Sequence, residues 1–456
     1  MNNMSLFRHD IPKPRLEPED YLEKTFSDYL SCHPTYMIPL IRAHNFIMRD
    51  LGPLSTMARH YIALLAASRH RCSYLVSISK KEFLHNGGDP DWLRNYEKAP
   101  LKLRSLQTVN KILAHQPWLL KKSHIESLVK GPYQWSLSEL THAIIIMVHF
   151  HALCSLSFGC KFGSDKPENF ENEDNDCEEV EIEELVYDVK GSQKIKKIVK
   201  RSPASKLIIE RCRQLELENA TLAEIMTTRF NERNARWLRQ QQQQQQRQTK
   251  WRQEDPYQEQ EQGQKEPESE PEQQPIDQQQ QQQHQQQSAD PTFGYIDFAS
   301  RDKQKSSPTF RIQDYQWDDQ GYSLCNLFYS DISQFLDEKF KVGYNLTYYT
   351  LGPKTNIDTS PFRRAIWNYI QCIYGMRHDD YNYREVNILL ERNLKCFIKN
   401  LACYPERVPK QDFADVMQGF RPSEKIHVII MVSEARLQTE LLYALRTITE
   451  VMKTSS

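Results

Sequence analysis

The stretch RHRCSYLVSIS, residues 69–79, sets Cys72 and Tyr74 two residues apart inside a long apolar helical pattern. A cysteine acts as a nucleophile or reductant only as a thiolate, which needs a base or positive surroundings and access to what it attacks. His70 falls off the Cys72 face at helical spacing, so His149 and His151, from another apolar stretch, are the candidate bases. None of the ten cysteines forms a CxxC pair, so no resolving thiol for a sulfenate and no zinc or disulfide framework is visible. The competing reading makes Cys72 a small hydrophobe filling a buried helix.

Two other groupings carry recognition chemistry. In HDDYNY, Asp379 and Asp380 stand beside tyrosines, which suits a charged rim with aromatic anchors or, more simply, acids at the positive end of a helix capped by Asn382. Arg392, Lys395 and Lys399 recur at i, i+3 and i+7 and form one basic helix face, solvated by default.

The elements that must position these residues read as helices. Residues 1–20 are a flexible start, and 21–163 form an N-terminal helical domain. There, Ser55 caps a helical pattern running to Gly87 and Gly88, and Ser136 with Glu139 gives a capping box ahead of a helix apolar on most sides. An acidic and then basic block, 164–204, reads as disordered because like charges repel. A helical period returns over 205–239. The glutamine-rich tract 240–289, polyglutamine in part, has too little apolar surface to offset ordering entropy and reads as a disordered linker. Residues 290–456 form a C-terminal helical domain. Its helices start at Thr359/Ser360 with Pro361 in the first turn, at Asn382 with Glu385 at capping-box spacing, and at SEKIHVIIMV, whose β-branched run weakens the helix expectation. The fold class is therefore all-α, with two helical domains and a disordered linker.

A net charge of −1 gives no field that would recruit nucleic acid or an anionic membrane. No run reaches the roughly 18 apolar residues of a membrane span, so no membrane insertion is expected. Scattered, unpaired cysteines suit a reduced, cytoplasmic setting, with the nucleus also open. No cofactor and no metal are expected.

The segments GPLSTMARHYIALLAASRHRCSYLV, GGDPDWLR, LAHQPWLLKKSHIESLVKG, DPTFGYIDF, RRAIWNYIQCIYGMRHDDYNYREVN and LLERNLKCFIK, in this order, resemble the sestrins. The resemblance covers nearly all of both helical domains and fails in the acidic and glutamine-rich middle. It implies two halves like the alkylhydroperoxidase-D and carboxymuconolactone decarboxylase fold. It also implies a stress-response role: restraint of the TOR kinase complex by binding a GATOR subcomplex upstream of the Rag GTPases, with leucine or a similar free amino acid releasing that partner in some members. Alkyl hydroperoxide reduction at Cys72 and Tyr74 is the alternative activity. This chain departs from the family there, because Ser79 stands where a histidine seven residues after the cysteine would supply the base.

The resemblance also assigns an amino-acid site. A zwitterion needs one buried cation, one buried anion and apolar walls. By resemblance Arg363 meets the carboxylate, Glu424 the ammonium, and Thr347, Tyr348, Thr350 and Thr359 form a lid. The walls differ from the leucine-binding pattern: Phe362 replaces a leucine and Met417 a tryptophan. A salt bridge between Arg363 and Glu424 without a ligand is the competing reading. By the same resemblance, Asp379, Asp380 and Ser136 engage the GATOR component, and Arg392, Lys395 and Lys399 match a cluster linked to Rag–TOR control. Ser136 is equally explained as a helix cap.

Overall fold

The computed structural model describes residues 21–163, 180–187, 193–201, 205–215, 217, 293–301, 309–347, 349–408 and 416–454. The glutamine-rich tract, most of the 205–239 segment and Tyr348 lie outside the described residues.

The N-terminal half runs through α1 (Tyr21–Leu30), α2 (Pro34–Met48), α3 (Thr56–Arg69), α4 (Ser73–His85), α5 (Pro90–Arg94), α6 (Leu101–Arg104), α7 (Gln107–His115), α8 (Lys122–Val129) and α9 (Leu137–Cys160). A helix at 205–215 (α10) follows. The C-terminal half contains α11 (Tyr322–Phe328), α12 (Ile332–Asn345), α13 (Ser360–Ile373), α14 (Arg384–Leu389), α15 (Arg392–Cys403) and α16 (Pro422–Lys453). Three two-stranded pairings complete the described residues: β1 (Val180–Tyr187) with β2 (Gln193–Arg201), β3 (Phe310–Arg311) with β6 (Met376–Arg377), and β4 (Thr350–Leu351) with β5 (Lys354–Thr355). The class is all-α.

Two long helices, one from each half, form the centre. α9 starts at the expected capping box: the Glu139 amide donates to Ser136 Oγ at 3.1 Å and the Ser136 amide to Glu139 Oε2 at 3.0 Å. Its 24 residues are long and apolar enough to span a membrane by composition, which corrects the sequence expectation, but its most apolar window is 94% buried inside the protein. α16, 32 residues long despite its β-branched start, packs against it. Their backbones approach so closely at Gly159 that a Cβ there would meet Ile429 Cγ2 at 2.6 Å. Both halves consequently share one hydrophobic core.

Buried charges lock this pairing. Arg436 and Glu440, one turn apart on α16, are both 0% exposed and paired at 2.7 Å. Arg436 also donates to Ser155 Oγ of α9 at 3.0 Å and to the Ala114 carbonyl of α7 at 3.2 Å, and contacts His70 Nε2 at 2.5 Å. Glu440 takes His151 Nδ1 of α9 at 2.6 Å, whose other nitrogen meets Asn110 Oδ1 at 2.9 Å. A second cluster joins Lys339 of α12 to Glu434 at 2.8 Å, and Tyr36 of α2 donates to the same carboxylate at 2.5 Å. The segment 293–301 ties the halves again: its Phe293 and Gly294 carbonyls accept from Arg69 at 2.7 Å and Gln116 at 2.6 Å, and its Tyr295 hydroxyl donates to the Ile373 carbonyl at 2.7 Å.

Two sequence expectations change. The pattern from Ser55 to Gly87 is two helices, because Arg71 takes a left-handed φ of 54° and breaks it just before Cys72. The pattern after Asn382 is also two helices: Asn382 Oδ1 accepts from the Arg384 amide at 3.2 Å, but Glu385 turns to Arg364 at 3.2 Å instead of completing a box. Within the 164–204 insertion, the described backbone of β1 and β2 pairs antiparallel, aligning residues 181 with 200 and 184 with 197.

Replacing one member of the Arg436–Glu440 network strands the other as a buried, unpaired charge, which costs about 3–5 kcal/mol. Glu440→Ala is therefore expected to lower the urea-unfolding free energy of the full chain by that amount. The pair Arg436→Met with Glu440→Gln is expected to recover most of it. An unchanged unfolding free energy in Glu440→Ala would show the network to be dispensable, and equal losses in the single and double variants would show that the cost is not that of a stranded charge.

Candidate functional site

The break at Arg71 makes Cys72 the N-cap of α4, at the positive end of the helix. Its thiol contacts Ser157 Oγ at 3.5 Å, and hydrogen bonding from the Cys154 thiol, opposed by burial, brings its pKa down from 9.0 to about 7. Cys154 and Ser157 lie one turn apart on α9. Cys154 is the contact that spacing rules missed, since nothing local in the sequence joins residues 72 and 154. Burial pushes the Cys154 thiol well up. Cys72 is only 1% exposed.

The expected bases are committed elsewhere. His151 is held by Glu440 and Asn110, His149 meets His44 at 3.1 Å, and His70 meets Arg436. Burial lowers all three below the usual histidine range. The Tyr74 hydroxyl is engaged by Thr25. Ser79, in the family's histidine position, is buried with its hydroxyl unpartnered. It lines a cavity of about 10 Å³ with His44, His60 and Glu82. The thiol is polarised but sealed, and among the described contacts no imidazole reaches it.

The amino-acid residues gather where α12, α13 and α16 meet. Arg363 is buried; Nη1 donates to the Tyr344 carbonyl at 2.9 Å and to Asn345 Oδ1 at 2.6 Å, Nε to Thr359 Oγ1 at 3.2 Å, and Nη2 to Ser360 Oγ at 3.0 Å. Thr359 is the N-cap residue by position, yet its hydroxyl donates to the Thr347 carbonyl at 3.1 Å and does not cap the helix. Thr347 Oγ1 meets His427 Nδ1 at 2.6 Å, one turn along α16 from Glu424. Glu424 Oε2 accepts from the Gly352 amide at 2.8 Å and the Arg421 amide at 2.9 Å. Its Oε1 is buried and has no hydrogen bond of good geometry, with the Thr350 hydroxyl near enough to favour the charged form. Burial outweighs these contacts and raises the Glu424 carboxyl above its ordinary range. Gly352, in the turn between β4 and β5, is left-handed at φ +60°, and a Cβ there would strike the Gly419 carbonyl at 2.4 Å.

Phe362 and Met417 are both buried, and Phe420, which sequence reasoning missed, stands 5.9 Å from the Phe362 ring. Arg363 and Glu424 thus lie in one buried polar region, linked through Thr359, Thr347 and His427, with no direct ion pair between them among the described contacts and with the charge of Arg421 acting on Glu424.

Asp379 and Asp380 are exposed. The β3–β6 pairing brings Arg311 to Asp379 at 2.5 Å and Gln313 to Asp380 at 3.3 Å. Ser136 bonds Glu139, and none of the described contacts joins it to the acidic pair. The basic face of α15 is not uniform. Arg392 is exposed, Lys395 reaches Asn387 Oδ1 at 2.9 Å, but Lys399 is spent on Asp297 at 2.8 Å, anchoring the 293–301 segment.

The structure is therefore that of an all-α protein with buried Arg363 and Glu424 and an exposed acidic pair in the C-terminal half and a sealed thiol in the N-terminal half. A family model described as PA26 p53-induced protein (sestrin) matches residues 19–452. The chain is 41% identical to Sestrin-2 of Homo sapiens over 435 residues, covering 93% of this chain and 83% of the relative. It is 38% identical to Sestrin-1 of Xenopus laevis over 434 residues (92% and 83%) and 39% identical to Sestrin-3 of Mus musculus over 434 residues (92% and 83%). The chain belongs to the sestrin family.

Consumption of cumene hydroperoxide by the full chain, coupled to a thiol reductant, is expected to stay near background and to change less than twofold in Cys72→Ser. Robust turnover that collapses in that variant would contradict the sealed thiol.

Proposed function

We propose that this chain is a stress-response regulator that restrains TOR signalling in the cytoplasm by binding a GATOR subcomplex upstream of the Rag GTPases, with leucine or a similar amino acid releasing the partner. The supporting observation is the exposure of Asp379 and Asp380 on a face of the same half that buries Arg363 and Glu424. Adjacent exposed acids steer and orient a basic partner, and reversing them turns attraction into repulsion. The Asp379→Lys, Asp380→Lys double variant is expected to lose at least tenfold in co-purified GATOR subcomplex while keeping its helical content and melting temperature. Undiminished capture would sink this assignment.

In the pocket, the amino-acid carboxylate takes Arg363 by sharing or displacing its Tyr344 and Asn345 contacts, and the ammonium faces Glu424. An ammonium there favours the carboxylate whose pKa burial has raised, so binding releases protons in the window between the raised and the lowered pKa. Affinity for leucine is expected to fall as pH drops through that window, and Glu424→Gln is expected to weaken it about tenfold or more. Calorimetry in buffers of different ionisation enthalpy reads both. A pH-independent affinity, unchanged in Glu424→Gln, would remove Glu424 from the site.

A thiol-dependent alkyl hydroperoxide reductase is the second reading. The lowered pKa of Cys72 at a helix N-terminus favours it; burial and the missing imidazole weigh against it.

A further inference from the structure

Beside the acidic pair lies a cavity of about 400 Å³. Trp317 and Phe340 are buried in its wall, and Tyr344, Trp367 and Tyr381 are half-buried around it. The rings meet edge to face: Trp317 and Phe340 at 5.1 Å, Tyr344 and Trp367 at 5.5 Å. Such walls offer both apolar area and electron-rich faces. The protein already uses those faces for its own cations, with Arg363 over Tyr344 at 5.0 Å and Arg364 over Tyr381 at 5.5 Å.

The charges lining the cavity are Asp318, Asp337, Asp380, Lys341 and Arg364. Lys341 is neutralised by Asp337 at 2.7 Å, and Arg364 by Glu385 at 3.2 Å. Among the described contacts, the exposed Asp318 and Asp380 make no direct ion pair: Asp318 lies near Lys341, and Asp380 accepts a neutral amide from Gln313 and lies near His378, so the three lining carboxylates outnumber the two lining cations. His378, also in the lining, is pushed down by burial and bonds Gln371 at 2.5 Å. The uncompensated charge is negative.

An aromatic cavity with two carboxylates left over and room for one long side chain is complementary to a planar cation. A guanidinium satisfies it better than an ammonium, because it stacks on rings and binds carboxylates through paired N–H groups. We propose that this cavity receives an arginine side chain projected by the protein that docks on the Asp379–Asp380 face. The proposal rests on the reading of that face as a partner surface and adds the anchor that the exposed acids alone do not supply. Central aromatic and arginine contacts, more than rim charges, carry the affinity of interfaces.

The test uses the full chain labelled with 5-fluorotryptophan, the Trp367 resonance assigned with Trp367→Phe. It is titrated with acetyl-Gly-Arg-Gly-amide and with its lysine and citrulline counterparts. The arginine peptide is expected to shift that resonance saturably in the millimolar range, at least tenfold more tightly than citrulline and several-fold more tightly than lysine. Asp380→Asn and Asp318→Asn are each expected to weaken it about fivefold. The same peptide at saturation is expected to displace captured GATOR subcomplex. No saturable shift, or equal affinity for citrulline, overturns the proposal. Tighter binding of free L-arginine than of the blocked peptide overturns it in favour of a metabolite site, and peptide-sensitive self-association overturns it in favour of a second copy of this chain. Peptide binding that leaves the subcomplex captured also overturns it. If wild-type chain captures no subcomplex while the peptide still binds, the choice of partner falls and the arginine-receiving cavity stands.

Discussion

The Arg436–Glu440 pair, completely buried between the two halves, is the constraint on which the architecture depends. A desolvated charge must find its partners or the fold does not form. These partners come from the turn before α4, from α7 and from α9, so satisfying one pair of side chains fixes four elements at once. Apolar burial supplies the driving force, but apolar surfaces tolerate sliding. Directional bonds from Arg436 and Glu440 set the register of α9 on α16, and Gly159 lets the two backbones close.

That register organises the chemistry on both sides. In the N-terminal half, holding His70 against Arg436 fixes the turn that makes Cys72 a helix cap, while Glu440 and Asn110 hold His151, which has no described contact with Cys72. In the C-terminal half, α16 carries Glu424 and His427 into the pocket region and Glu434 against Lys339 and Tyr36. The N-terminal half reaches the pocket directly too, with His33 Nε2 on the Ser423 carbonyl at 2.7 Å. Arg363 stands between the pocket and the outer face: Tyr344 and Asn345, which hold its guanidinium, also line the aromatic cavity beside Asp380. A rearrangement of Arg363 would therefore be felt at the cavity beside Asp380.

What the sequence disclosed was local. The Ser136–Glu139 box and the Ser55 cap depend on residues three apart, and both form. The all-α class follows from periodicity. The breaks at Arg71 and within the pattern after Asn382 were illegible because tertiary demands, His70 to Arg436 and Glu385 to Arg364, override intact helical patterns. Cys154 beside Cys72, Phe420 beside Phe362, and the cavity under Asp380 all join residues distant in the chain, which no spacing rule connects. Lys399 matched a basic face by period, yet it also pairs with Asp297, about a hundred residues away in the chain, a structural contact that no spacing rule shows.

The central claim is that the two halves are one cooperative body, joined through α9 and α16, with a sealed thiol inside it. Native-state hydrogen exchange of the full chain across low denaturant concentrations tests this most directly. Slowly exchanging amides of α9 and α16 are predicted to converge on one opening free energy with one denaturant slope, because the buried network binds them into the same unit. If α9 opens with a lower free energy and a smaller slope than α16, the halves unfold separately, and the shared core does not hold them as described.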